Sequence, residues 1–282
     1  MHDAGIRGRR VAIIAVCRTP LCRSGSVLKD VSAVELAQHA TIELLMRSGL
    51  NEKDVDEMFF GQVVSSVQVP NLAQEVSLLP QFPASIPASS VNRACASANS
   101  AISMGADQIA QGHADVVIAG GSESLSDIPE LHSRRFADTP VALSRARSLG
   151  ERLKLISRVR PRDLVPVTPA IAEPSTGESM GESAEKMAKL NGITRQVQDE
   201  FAPVFTQAGA VDRDNAVRPD TSLDKMAKLK PVFDRRHGSV TAANASPLTD
   251  GGSAVLLIAE EAARTLGYQA QILIRVNGQL SH

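Results

Sequence analysis

The 282-residue sequence is short of cysteine, of net charge and of long apolar runs, and each shortage removes a class of function. Its three cysteines, Cys17, Cys22 and Cys95, are odd in number and lack metal-ligand spacing, so a disulfide framework is not expected and free thiols in a reducing compartment are. Lysine and arginine total 30 against 31 aspartates and glutamates, a formal net charge of -1. No global basic field exists to draw in nucleic acid or an anionic membrane, and any partner must be recognised locally. No uninterrupted apolar run approaches the ~20 residues of a membrane span. The charged stretch Met1 to Arg10 leads into a short apolar strand rather than the long apolar segment of a secretory leader, so a cytoplasmic location is expected. Internal repeats and low-complexity tracts are also missing. What is present is core-forming: 43% hydrophobic and 22% charged residues, in a chain long enough for about two domains or for one domain carrying a large insertion.

The order of patterns along the chain indicates an α/β fold. Val11-Ala-Ile-Ile-Ala-Val16 is a near-continuous apolar run that suits a strand covered on both faces. A helix follows, opened by Ser32 with Glu35 three residues on and closed at Gly49. Met58-Phe-Phe-Gly61, extended by Gln62-Val-Val64, reads as a second strand; four prolines between Val69 and Pro87 predict irregular chain around a short helix. Ser89 to Asn92 predicts a strand, Cys95 a turn, and the small residues beyond it a tightly packed helix. Val116-Val-Ile-Ala119 predicts a buried strand stopping at a Gly120-Gly121 bend.

At about Ser126 the texture becomes basic and proline-punctuated, which predicts an insertion. Helical patterns return at Ser183 to Leu190 and Thr194 to Phe201, and the segment Arg218 to Phe233 follows. Ser253 to Ala259 is again a buried strand, Glu260 to Leu266 a helix ending at Gly267, and Gln271 to Val276 a last strand. Within the insertion, Leu149, Leu153 and Ile156 share a helical face among Arg145, Arg147, Arg152, Lys154, Arg158, Arg160 and Arg162. That face reads either as a docking surface for an anionic membrane or acidic partner over 145–162, or as a solvated face over a small core.

Cys95 is the candidate for chemistry. A cysteine entering a helix meets the positive end of the macrodipole and unsatisfied amides, both of which favour thiolate. Its neighbours Ala94, Ala96, Ser97 and Ala98 leave room for a ligand. Spacing alone leaves open the other reading, a small buried hydrophobe.

Val91-Asn-Arg-Ala-Cys95-Ala-Ser-Ala resembles the nucleophile motif of the thiolases. Four further stretches fit that family in order: Arg18-Thr-Pro20, Ala119-Gly-Gly-Ser-Glu-Ser124, Lys228-Leu-Lys-Pro-Val-Phe233, and Gly238 to Ser246 leading into Thr249-Asp-Gly-Gly252. The segment from Arg152 to Leu164, with Ser175-Thr-Gly and Met180-Gly, most resembles the β subunit of the fatty-acid oxidation multienzyme complex, a 3-ketoacyl-CoA thiolase.

The resemblance implies a thiolase-like layered α/β fold, with a mixed, mostly parallel sheet covered by helices and an inserted loop subdomain. It divides the chain into a first part of the core at 1–125, an insertion at 126–240 abridged near 202–212, a return to the core at 241–267, and the start of a further half at 268–282. It implies covalent thiolytic cleavage of a 3-ketoacyl-CoA in fatty-acid β-oxidation through an acyl group on Cys95. Coenzyme A is then a substrate and no cofactor is permanently bound. Ser246 matches the serine that meets the pantetheine arm, or else is a turn residue before Asp250. Arg218 matches a basic residue near the nucleotide end, or else is an ordinary solvated arginine. Asn244 and Asp250 are expected to hold their loop together. As partners the resemblance implies a homodimer or higher oligomer and a hydratase/dehydrogenase α subunit; nucleic acid is not expected.

Two departures from the family stand in the sequence. None of the six histidines precedes a proline, so the Gly-His-Pro base is not here, and no Cys-x-Gly or Glu-Ala-Phe motif occurs. Between Phe201 and Asp212 the chain carries ten residues including Pro203, where relatives have a longer helix and strand. These departures leave two readings: an acyltransferase represented by its nucleophile-bearing half, or an inactive thiolase-like binding or assembly module. A ketoacyl synthase relative is disfavoured by the long insertion and the Asn244-Ala-Ser246 return. Ile272 to Val276 is expected to be an orphan strand with an unpaired edge, a template for self-association.

Overall fold

A computed structural model of the chain describes residues 8–166, 172–173, 175–199, 214–215, 221–270 and 272–274. The chain divides into two compact units, one of residues 1–128, 209–219 and 247–282, the other of residues 129–208 and 220–246.

The first unit is built on a sheet of seven strands: β1 (Val11–Arg18), β2 (Cys22–Arg23), β3 (Glu57–Gly61), β4 (Ala88–Val91), β5 (Val116–Glu123), β6 (Thr249–Ala259) and β7 (Ile272–Ile274). Six of them lie in the order β4-β3-β5-β6-β1-β7, and β2 pairs with β6. Because β6 runs antiparallel between β5 and β1, the strands β1 to β5 share one sense while β6 and β7 run the other way. The β4-β3-β5 ladders are parallel. The expected mixed sheet is therefore present, most of its strands sharing one direction.

Side chains on successive residues leave a strand on opposite faces, and both faces here are apolar. Ala12, Ile14, Met58, Phe60, Ile118, Leu256 and Ile258 enter one core cluster with α1 (Ala33–Ser48) and α2 (Leu72–Ser77). Val11, Phe59, Val117, Ala119, Leu257 and Ala259 enter the other, with α3 (Ser97–Ala110). Helix α1 starts where the sequence places it: the Ser32 hydroxyl accepts from the Glu35 amide at 3.2 Å, and the Ser32 amide donates to the Glu35 carboxylate at 2.8 Å. Its buried stripe Leu36, Ala37, Ala40 and Leu44 repeats at helical spacing.

Three sequence expectations are corrected here. Strand β5 does not stop at the glycine pair but runs on to Glu123, because Gly120 serves close strand pairing rather than a bend; a Cβ there would lie 2.0 Å from the Ser253 carbonyl oxygen on β6. Strand β3 ends at Gly61 rather than continuing to Val64, because the Val63 and Val64 amides turn to the Glu123 carboxylate instead of a ladder. Residues Ile272–Ile274 are not an orphan: they pair antiparallel with Val11–Ile13 of β1, which satisfies backbone groups that an unpaired strand would offer to another chain.

The segment 214–215 belongs to this unit through polar contacts. Asp214 receives the Arg18 guanidinium at 2.9 and 3.1 Å and the Leu21 amide at 2.8 Å, while Asn215 accepts from the Arg23 amide at 2.6 Å. The Arg18 guanidinium, assisted by the Leu21 amide, holds the Asp214 carboxyl below the usual carboxylate range.

The second unit carries α4 (Arg134–Arg145), α5 (Leu149–Ile156), α6 (Met180–Leu190) and α7 (Leu223–Ala227). Among its described residues the buried apolar side chains are Ala188, Met226 and Val240, fewer than the buried polar ones, Asp163, Glu185, Asp199 and Thr241. Hydrogen bonds replace apolar packing. The Glu185 carboxylate accepts from the Ser239 amide and hydroxyl and from the Val240 amide, tying α6 to the loop at 238–240. The Asn244 carboxamide donates to Asp199 at 2.9 Å and to the Ser239 carbonyl at 3.0 Å and accepts from the Thr241 amide at 2.7 Å. Asn244 holds its loop together, as expected. The last helix, α8 (Glu260–Thr265), returns to the first unit and is followed by Gly267 at φ +81°.

Candidate active site

Cys95 lies in the turn between β4 and α3, at the end of the parallel half of the sheet. The turn is compact because one residue takes a conformation that side chains disfavour. Ala94 has φ +48°, the sole non-glycine residue with positive φ among the described residues, at a cost of about 1–2 kcal/mol. Its neighbours hold it there. The Asn92 carboxamide oxygen accepts from the Ala94 amide at 3.1 Å, and the Ala94 carbonyl accepts from the Ser97 hydroxyl at 2.6 Å and the Ser97 amide at 3.0 Å. The same Ser97 hydroxyl accepts from the Arg93 amide at 2.9 Å. Ser97 is thus buried for a reason that the sequence pattern hid: it is the inner clamp of the cysteine turn.

The result is an exposed thiol. Cys17 on β1 and Cys22 on β2 are buried, and burial pushes both of those thiols up. Cys95 is exposed, so of the two readings the small buried hydrophobe is excluded. Helix α3 begins two residues later, with Ala96 in the capping position.

A second layer supports the turn. Gly61 at the end of β3 lies under the start of α3, where a Cβ would stand 2.3 Å from the Ser97 carbonyl carbon. Gly121 on β5 meets Ala98 in the same way, its Cβ position 2.6 Å from the Ala98 Cβ. Two strands therefore carry glycine where the helix sits on their backbone. Beyond them, Glu123 ends β5 with a carboxylate that accepts from the Val63 amide at 2.8 Å and the Val64 amide at 3.2 Å. Burial raises its pKa against the pull of those amides. Asp250, fully buried, accepts from the Ser126 amide at 3.0 Å and its hydroxyl at 2.5 Å, so its role is to hold the β5 and β6 ends together.

Ser246 is exposed at the end of the second unit, just past the Asn244 loop, and Cys95 belongs to the first unit. Arg218 lies outside the described residues. Cavities lined by Ile14, Arg47 and Tyr268 in the first unit, and by Glu185, Lys189 and Phe233 in the second, include neither Cys95 nor Ser246 in their walls. Among the described residues no three histidine, cysteine, aspartate or glutamate side chains cluster to hold a metal ion, and no helix is long and apolar enough to cross a membrane.

An exposed cysteine on a strained strand-to-helix turn, backed by small residues, is a geometry for nucleophilic attack on a carbonyl. Comparison with known proteins identifies the family. The family model described as "Thiolase, N-terminal domain" matches residues 11–207 and 202–261. The chain belongs to the thiolase family. It is 42% identical over 286 residues to a 3-ketoacyl-CoA thiolase of Pseudoalteromonas translucida, covering 93% of this chain and 66% of the relative. It is 43% identical over 294 residues to a 3-ketoacyl-CoA thiolase of Colwellia psychrerythraea, covering 96% and 68%. Among solved structures, human mitochondrial 3-ketoacyl-CoA thiolase in complex with CoA superposes with a TM-score of 0.76 at 27% identity, covering 94% of this chain and 69% of that one. The Bacillus anthracis acetyl-CoA acetyltransferase gives 0.75 at 29% identity, with 94% and 69% covered. This thiolase chain spans about two thirds of the length of the relatives that it matches.

The thiolase motif was legible around Cys95, but three of its supports were not singled out from the sequence. Asn92 and Ser97 stand within the quoted motif, three before and two after the cysteine, and Glu123 follows the glycine pair at the end of an apolar strand. A carboxylate placed there is the available signal, since a charge at a buried strand end needs donors.

Proposed function

We propose that this chain is the nucleophile-bearing portion of a 3-ketoacyl-CoA thiolase, an acyl-CoA C-acyltransferase of fatty-acid β-oxidation. The observation that carries it is the exposed Cys95 on its clamped turn, within a chain of the thiolase family. In this reading the Cys95 sulfur, having lost its proton to a base, attacks the 3-keto carbon. The bond between C2 and C3 breaks, its electron pair leaves with C2 and takes up a proton, and acetyl-CoA departs. The acyl group rests on sulfur as a thioester until the thiol of a second coenzyme A displaces it and returns the proton. Ser246 contacts the pantetheine arm and Arg218 the nucleotide end. The divisions at 1–125, 126–240, 241–267 and 268–282 belong to the same reading, as does an insertion abridged near 202–212, a stretch in which the two matched pieces, 11–207 and 202–261, overlap.

The acid/base groups are what this sequence does not offer at the family's motifs, and a positioned base is worth about 10²–10⁴ in rate. The purified chain given a 3-ketoacyl-CoA and coenzyme A is therefore expected to show no steady-state cleavage. Mixing it with the C-terminal half of a relative should restore cleavage that Cys95→Ser abolishes. Turnover by the chain alone, lost in Cys95→Ser, would show that another residue supplies the base. Failure of the mixture would favour the alternative, a catalytically inactive binding or assembly module.

The basic helix of the second unit belongs to the partner side of this proposal. Leu149, Leu153 and Ile156 of α5 are exposed by 75%, 61% and 54%, among the arginines of 145–162. Apolar side chains flanked by cations suit an anionic surface. The chain should pellet with anionic but not neutral vesicles, less so as salt is raised. No pelleting with either would leave docking on an acidic partner such as a hydratase/dehydrogenase α subunit.

A further inference from the structure

The nucleophile turn is connected to a carboxylate that never touches it. Glu123 accepts from the backbone amides of Val63 and Val64 at 2.8 and 3.2 Å. The carbonyl of the same Val63 accepts from the Asn92 carboxamide nitrogen at 3.0 Å. The carboxamide oxygen of Asn92 in turn accepts from the amide of Ala94, the residue at φ +48° that precedes Cys95. A parallel backbone bond from the Gln62 amide to the Val91 carbonyl, 3.1 Å, keeps the two segments in register. Each link therefore uses both ends of a group, and the chain of bonds runs without a gap from the end of β5 to the cysteine turn.

We propose that Glu123 is a positioning residue for Cys95, acting through Val63 and Asn92 to keep Ala94 in its left-handed conformation. The physical reason is strain. A left-handed alanine persists only where its surroundings over-determine it, and the Asn92 oxygen does so only while Asn92 is itself fixed by the Val63 carbonyl. Val63 has left the sheet, so its place depends on what receives its amide. The receiver is a carboxylate set at the end of a buried strand, whose burial opposes the charge and whose two amide donors favour it. A glutamine offers one acceptor oxygen and turns an NH₂ group toward the other amide, which breaks the grip without removing volume.

This inference rests on Cys95 being the nucleophile, and the test separates the two. Iodoacetamide is applied to the full chain, and the label at each cysteine is followed by peptide mass spectrometry, with Cys17 and Cys22 reporting whether the fold is intact. Glu123→Gln should slow labelling of Cys95 about fivefold or more, Asn92→Ala at least as much, and the double variant no more than Asn92→Ala alone, since residues in one network do not act additively. A nitroxide attached at Cys95 should become more mobile in Glu123→Gln, a signature that loss of stability elsewhere would not produce. An unchanged or raised labelling rate in a folded Glu123→Gln variant overturns the proposal, as do additive effects in the double variant or an unchanged nitroxide spectrum. If Glu123→Gln exposes Cys17 and Cys22, Asn92→Ala decides by the same rate criterion. Wild-type labelling that favours Cys17 or Cys22 instead refutes the nucleophile reading itself.

Discussion

Limiting iodoacetamide should label Cys95 at least about a thousandfold faster than Cys17 or Cys22, because a core thiol reacts only through opening of a domain stabilised by several kcal/mol. Cys17 lies on β1 opposite Ala254, in the layer beneath α1, and Cys22 on β2 opposite Asp250. Both are less than a tenth exposed, and burial pushes both thiols up, so the reactive form is disfavoured as well as shielded. Cys95 stands on the outside of a turn whose backbone bonds face inward to Ser97 and Asn92. The measurement is a time course of label at each of the three cysteine peptides. Comparable labelling of Cys17 would mean that β1 opens readily, and preferential labelling of Cys22 would remove the basis for a nucleophile at position 95.

Much of the first unit could be read directly because its strands obey simple rules. Val116 to Ala119 and Leu256 to Ala259 are buried on both faces and read as uninterrupted apolar runs. Ser32 with Glu35 signals a helix start through bonds between residues three apart, so no distant partner is needed to recognise it. What remained illegible depends on groups far apart in sequence. Nothing local in Thr249 to Ala259 says that it enters between β5 and β1, a choice made by pairings of residues about 140 apart in sequence, such as Val116 with Ile258, on one side and about 240 apart, such as Ala15 with Leu256, on the other. The same holds for Ile272–Ile274: whether a terminal apolar strand is orphaned depends on whether the first strand offers a free edge, which β1 does.

The second unit resisted for a different reason. Hydrophobic periodicity locates helices that bury apolar stripes, and this unit buries carboxylates. Glu185 sits on α6 as an ordinary charged residue by pattern, yet it is 4% exposed and receives three donors from Ser239 and Val240. The candidate site shows the same split. Cys95 could be found from a motif, whereas the Glu123 clamp consists of backbone amides presented by residues 63 and 64, which no side-chain pattern encodes.

Gly61→Ala should be strongly destabilising, lowering stability by about 3 kcal/mol and the melting temperature by roughly 6–12 °C. The added carbon would stand 2.3 Å from the Ser97 carbonyl carbon and 2.4 Å from the Ala98 nitrogen, both backbone atoms that no rotamer change can move. Relief requires lifting the start of α3 away from β3, and that start is where Ser97 holds Ala94 and hence Cys95. The variant should therefore lose heat stability and show a disturbed Cys95 labelling rate together. Gly150→Ala is the matched control: Gly150 lies in α5 with nothing within 4 Å of its Cβ position, and alanine favours the helix by up to ~1 kcal/mol. A melting temperature for Gly61→Ala equal to that of the wild type would show that α3 does not rest on the end of β3, and with it the account of how the fold presents Cys95 would fail.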